Sequence, residues 1–141
     1  MQQRVADRAE GETEETPAPA GSDHDRRRRR RGTNQLRGLQ MWVGDVNARG
    51  ELLGRPVELV HYDDGSDPAR SAQLYKKLIQ EDKVELLVGP YSSKITLAAS
   101  QVAEQFDMPM LTLGASADAI WSRGYENIVG LDTPSARYMD I

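Results

Sequence analysis

Apolar residues in the first predicted helix recur at intervals of three and four positions. They are Leu36, Leu39, Val43 and Val46. This spacing places them on one face of an α-helix. The helix is predicted to begin near Thr33 or Asn34, both favourable N-caps, and to end at Gly50.

Downstream of this helix, strand patterns alternate with helical patterns. The strands are predicted at residues 56–62, 84–88, 108–113 and 127–130. Helices are predicted to begin at Asp67-Pro68, at Ser92 or Ser93, and after the turn at 114–116. The run at 84–88 is almost continuously apolar, which is typical of a parallel strand covered on both faces. The alternation predicts an α/β fold with a doubly wound, mostly parallel sheet.

The first 32 residues have a different composition from the rest. Residues 10–15 are rich in acids, residues 26–31 are six consecutive arginines, and the large apolar residues are limited to Met1 and Val5. Such a segment cannot bury enough apolar surface to offset its ordering entropy. We therefore expect a disordered charged tail at 1–32 and a folded part at 33–141.

Composition excludes several classes of function. The chain has 141 residues, 22 acidic against 18 basic side chains, a formal charge of -4, two histidines and no cysteine. There is consequently no disulfide framework, cysteine nucleophile or thiolate metal site. The arginine run could contact phosphates or act as a localisation patch, but no aromatic residues interrupt it, and a solvated charge run is the more common case. We expect no nucleic-acid partner.

Candidate chemistry lies where two predicted strands end. One strand leads into Gly89-Pro90-Tyr91-Ser92-Ser93 and another into Gly114-Ala115-Ser116. Ligands of open parallel sheets bind outside the carboxyl ends of the strands. Helix N-termini and hydroxyl groups together suit a carboxylate. On the pattern alone these serines either cap helices, the more common role, or bind a small anion.

No pattern of a catalytic or cofactor site was found. The serines do not lie in a Gly-x-Ser-x-Gly elbow, and neither a phosphate-binding P-loop nor a dinucleotide fingerprint is present. His61 falls inside a predicted strand, where a structural role is expected. Asp63, Asp64 and Asp67 are explained by a turn and a helix cap rather than by a metal ion. We therefore predict a protein without catalysis, cofactor or metal.

Several short motifs, taken in order, resemble one family. They are Gly38-Leu39-Gln40, Asp45-Val46-Asn47, Gly54-Arg55-Pro56, Tyr62-Asp63-Asp64, Asp67-Pro68, Val88-Gly89-Pro90, Pro109-Met110-Leu111, Gly114-Ala115-Ser116 and Arg123-Gly124-Tyr125. Together they resemble the type I periplasmic binding proteins, above all the branched-chain amino-acid (Leu/Ile/Val) receptors of ABC transporters. The resemblance covers roughly residues 33–138.

The resemblance implies a fold, a ligand and a partner. Members have two α/β lobes that close on a ligand, and residues 33–141 would be a partial N-terminal lobe. The implied ligand-binding residues are Tyr91, Ser92, Ser93, Gly114, Ala115 and Ser116. Ser93 would bind the α-carboxylate, while the Gly114 backbone and the Ser116 hydroxyl would bind the head group. The ligand would be an amino acid or a related small carboxylate, and the partner a membrane permease.

The chain also departs from this family. The arginine run stands where the family has its first strand and a Gly-rich loop, so we expect that strand to be missing, through a frame change near residue 32. The second lobe is absent from the sequence, which predicts a fragment with weak or no binding. Family resemblance implies a periplasmic or cell-surface location; without an export signal the chain would stay cytoplasmic as written. The alternative function is a ligand-sensing receptor or regulatory domain of the same fold.

Overall fold

The computed structural model describes residues 3–7 and 23–138. Five strands and four α-helices alternate along these ranges, followed by a short 3-10 helix. The elements are β1 (Gln3–Asp7), α1 (Asp23–Ala48), β2 (Val57–His61), α2 (Pro68–Gln80), β3 (Leu86–Val88), α3 (Ser93–Gln105), β4 (Met110–Thr112), α4 (Asp118–Trp121), β5 (Ile128–Gly130) and the 3-10 helix Ser135–Arg137. The predicted α/β class is confirmed.

All strand pairs of the sheet are parallel, in the order β2-β1-β3-β4-β5. The order reverses direction at β1 and β3, which makes the carboxyl edge of these strands the expected place for a ligand. β3 and β4 are direct neighbours, with Leu87 opposite Met110 and Val88 opposite Leu111. The segments that leave these two strands therefore start side by side.

The expected absence of the first strand is wrong. β1 lies in the centre of the sheet, with Val5 opposite Leu59 on one side and Leu86 on the other. Backbone pairing supplies partners for the edges of β2 and β3 that would otherwise be open. The strand was missed because its sequence, QRVAD, has two charged residues and a single β-branched one, unlike a typical central parallel strand.

The predicted start of the first helix, near Thr33, is also wrong. α1 begins at Asp23 and includes the whole arginine run. Arginine has high helix propensity, and repulsion between like charges four positions apart costs only a few tenths of a kcal/mol per pair. Two segments of the predicted disordered tail, 3–7 and 23–32, are thus strand and helix, and the intervening residues 8–22 lie outside the described ranges. No helix in the described part of the chain combines the length and the apolar character that crossing a membrane requires.

Both faces of the sheet are covered by helices, which explains the apolar character of β3. The Leu87 side chain is fully buried on the face covered by α2 and α3, together with Tyr75, Leu78, Ala99, Val102 and Met110. Leu86 and Val88 belong to the cluster on the opposite face, which contains the predicted α1 residues Leu39, Val43 and Val46. Alternate residues of the strand thus face different helices, as the period of two requires.

The end of α1 is fixed to β2 by a side-chain amide. Asn47 Nδ2 donates to the Val57 carbonyl at 2.9 Å, and the Val57 N–H donates to Asn47 Oδ1 at 2.8 Å. Val57 is only 4% exposed, so water cannot replace both bonds without a local opening. This pair of bonds sets where β2 begins relative to α1.

Replacing Asn47 with alanine should lower the free energy of unfolding by about 1–3 kcal/mol, because two backbone groups of a buried residue lose their partners. Urea unfolding followed by circular dichroism measures the change. Asn34→Ala is the matched control, since Asn34 lies exposed on the same helix. Equal effects of the two substitutions would contradict the proposed role of Asn47.

Candidate functional site

The segment that leaves β3 turns sharply into α3. Gly89 has a φ of 87°, a conformation that glycine adopts without strain, and Ser92 occupies the N-cap position in an extended conformation. Ser92 therefore occupies the predicted cap position, but its hydroxyl makes no hydrogen bond to the helix. Instead the Ser92 carbonyl accepts bonds from the Thr96 N–H at 2.8 Å and from Thr96 Oγ1 at 3.0 Å.

Ser93 connects the two strand exits. Its Oγ accepts a hydrogen bond of 3.3 Å from the Ala117 N–H, in the segment between β4 and α4. Ser93 is the first residue of α3, where the backbone N–H groups have no partner within the helix. The residue as a whole is half-buried. The same oxygen can therefore hold the neighbouring loop and still donate its proton outward.

Gly114 lies directly against the ring of Tyr91. A Cβ atom placed on Gly114 would be 2.7 Å from Tyr91 Cδ2 and 3.4 Å from Gln35 Nε2. Glycine is required here for close approach, because any side chain would have to displace the ring. The contact brings three segments together: the exits of β3 and β4 and one face of α1.

Arg31 also reaches this place from α1. Its Nη1 donates a hydrogen bond to the Tyr91 hydroxyl, and its guanidinium carbon lies 5.5 Å from the centroid of the Tyr91 ring. Arg31 and Gln35 are four residues apart and thus share a helix face. Pattern reasoning missed Arg31 because the helix was predicted to begin after it. Gln35 lay inside the predicted helix, but no pattern marked it as a site residue.

The remaining predicted residues have different environments. The Ser116 carbonyl accepts a bond of 2.7 Å from the Ser135 N–H, while its hydroxyl has no partner within the described ranges. Asp118 accepts from the Ala136 N–H at 3.0 Å, so the last described segment is fastened beside this loop. Ala115 is fully buried. Its part in binding stays a prediction, as do the roles of the other site residues.

The aspartates after β2 behave as the turn and cap that were predicted. Asp63 Oδ1 accepts from the Gly65 N–H at 2.8 Å, and Asp67 Oδ1 caps α2 by accepting from the Arg70 N–H at 2.7 Å. Across the described residues, no three His, Cys, Asp or Glu side chains are grouped so as to hold a metal ion.

A groove of about 410 Å³ lies away from the strand ends, between α2 and α3. Ala72, Ala98 and Val102 line it, with Lys76 and Gln101 at its side. No hydroxyl side chain lines this groove, so we place the candidate site at the strand ends.

Comparison with known proteins agrees with this fold and its motifs. The family model described as periplasmic binding protein matches residues 31–137. The Leu/Ile/Val-binding protein of Escherichia coli K12 is 31% identical over 105 residues, covering 72% of this chain and 28% of that protein. Leu/Ile/Val-binding protein homolog 7 of Brucella melitensis is 37% identical over 97 residues, covering 69% of this chain and 24% of the relative.

A solved structure gives the same result in three dimensions. The branched-chain amino acid transporter substrate binding protein LivJ from Streptococcus pneumoniae, in complex with isoleucine, matches with a TM-score of 0.79 and 25% identity. The match covers 95% of this chain and 34% of that one. The chain thus spans about a third or less of these proteins. On the motifs, the sheet order and the family match together, the chain belongs to the periplasmic binding protein family, as a type I protein similar to the branched-chain amino-acid receptors of ABC transporters.

Proposed function

We propose that this chain supplies half of the ligand site of an ABC-transporter substrate-binding protein for branched-chain amino acids or related small carboxylates. The family is one of binding proteins rather than enzymes. A permease in the membrane would be its partner, and the periplasm or the cell surface its place of action. The ligand carboxylate would bind at Ser93 and the head group at Gly114 and Ser116.

One observation carries this proposal. The Ser93 hydroxyl, at the start of α3, contacts the loop that follows β4 through the 3.3 Å bond with Ala117. Two segments rich in hydroxyl and amide groups are thereby held around one point at the carboxyl edge of the sheet. If these serines served only as helix caps, the Ser92 hydroxyl would accept a bond from an N–H of the first turn of α3, and it does not.

The exposure of the site suggests weak binding. Tyr91, Ser92, Ser93, Gly114 and Ser116 are all half-buried. Small-ligand sites normally bury most of their ligand's surface. These residues therefore form an open rim that needs an opposing surface to enclose a ligand, and the relatives are about three times longer than this chain. The titrations should therefore use ligand at millimolar concentrations.

Ser93→Ala should weaken binding of leucine, isoleucine or valine by about 10- to 100-fold. This is the loss of affinity expected when one hydrogen bond to a charged group is removed. Isothermal titration calorimetry on the 141-residue chain measures the change. Ser122→Ala is the control, because Ser122 is exposed at the far end of α4. Unchanged affinity in Ser93→Ala would overturn the assigned role, and a folded wild-type chain that binds neither these ligands nor glutamate would overturn the proposal.

Gly114→Ala should reduce binding by at least about tenfold and destabilise the fold by about 1–3 kcal/mol, since the added methyl would displace the Tyr91 ring. Calorimetric titration and thermal melting separate the two effects. Gly44→Ala gives the comparison, because nothing lies within 4 Å of a Cβ at that helix position and alanine is the better helix former. Wild-type affinity in Gly114→Ala would show that the Tyr91–Gly114 contact does not shape the site.

A further inference from the structure

The side of the candidate site next to α1 is charged. Among the described α1 side chains, Arg31 contacts Tyr91 and Gln35 lies near Gly114. Both side chains are polar, and Arg31 carries a permanent positive charge. A receptor for leucine or isoleucine needs apolar surface around the ligand's side chain, whereas this edge offers an arginine and an amide.

Arg31 is exposed and makes two contacts with Tyr91. The guanidinium lies over the aromatic face, 5.5 Å from its centroid, and also donates to the phenol oxygen of the same residue. Two carbon atoms of the same ring lie against Gly114, which belongs to the proposed head-group seat. Arg31 and Gly114 thus contact the same aromatic side chain, which places the guanidinium group and the proposed head-group seat on either end of one chain of contacts.

The chemistry of guanidinium decides which ligand suits this arrangement. Its planar group has five N–H donors, and it binds carboxylates through two parallel hydrogen bonds. Stacking on an aromatic face orients the group and lowers the entropy lost when it binds. An apolar ligand side chain placed there would take the charge out of water without offering it a partner.

We infer that Arg31 is a specificity-determining residue, which makes this site favour small ligands with a second carboxylate over branched-chain amino acids. The inference rests on the proposed function, because it assumes that the first carboxylate binds at Ser93. The ligand then spans from the start of α3 to the face of α1, with Tyr91 along its length.

Glutamate and glutamine form the decisive pair of probes, because they have nearly the same shape and differ in the charge of the far group. Isothermal titration of the full chain should give at least about tenfold tighter binding of glutamate than of glutamine or leucine. In Arg31→Gln the ratio of glutamate to glutamine affinity should fall to about 1. Arg31→Lys keeps the charge but loses the paired geometry, so an intermediate ratio is expected.

Two controls separate this effect from loss of structure and from general charge. Arg37→Gln removes an exposed arginine six positions further along α1, on a different face, and should leave the ratio unchanged. Ser93→Ala should weaken glutamate and glutamine alike, so that the ratio is again preserved. Circular dichroism of each variant establishes that the fold is retained.

The outcomes distinguish the two proposals. If wild-type protein binds leucine or glutamine as well as glutamate, or if Arg31→Gln keeps the preference for glutamate, the inference about Arg31 is overturned while the binding function stands. If the folded wild-type chain binds none of the three ligands, the proposed function fails and the inference fails with it.

Discussion

The burial of β3 on both faces is the constraint on which the rest of the structure depends. Leu87 has no exposed surface and packs under α2 and α3, while Leu86 and Val88 pack towards the α1 side. A strand enclosed in this way, with parallel neighbours on both edges, can meet polar surroundings only at its ends. The buried part of this segment therefore ends near Val88, and polar groups that could bind a ligand follow between Gly89 and Ser92.

The site follows from the adjacency of β3 and β4. The two strands are parallel neighbours, so the chain leaves both of them at the same edge of the sheet. The loops that follow therefore start next to each other. The bond from Ala117 to Ser93 and the contact of Gly114 with Tyr91 are two consequences of this single arrangement. Both contacts join the two loops of the candidate site, and the packed sheet sets where those loops start.

Sequence reasoning succeeded where the determinants are local. The apolar run of β3 and the Asp67-Pro68 start of α2 each reflect a period or a cap that a few neighbouring residues fix. β1 was missed because its place depends on backbone pairing with strands that lie about 50 and 80 residues further along the chain, not on its own composition. The Arg31–Tyr91 contact joins residues 60 positions apart and depends on where α1 begins, which no local pattern revealed.

The residue at which α1 begins therefore decides which side chains lie beside the candidate site. A helix that began at Thr33 would leave Arg31 in the preceding segment, free to take any direction. Because the helix begins at Asp23, the four-residue spacing holds Arg31 on the face of Gln35, and that face lies against the Tyr91–Gly114 contact. A long arginine run on a helix would ordinarily be solvated surface, but the helical register brings Arg31 to Tyr91, at the edge of the candidate site. The extent of a single helix thus determines whether that edge of the site is charged.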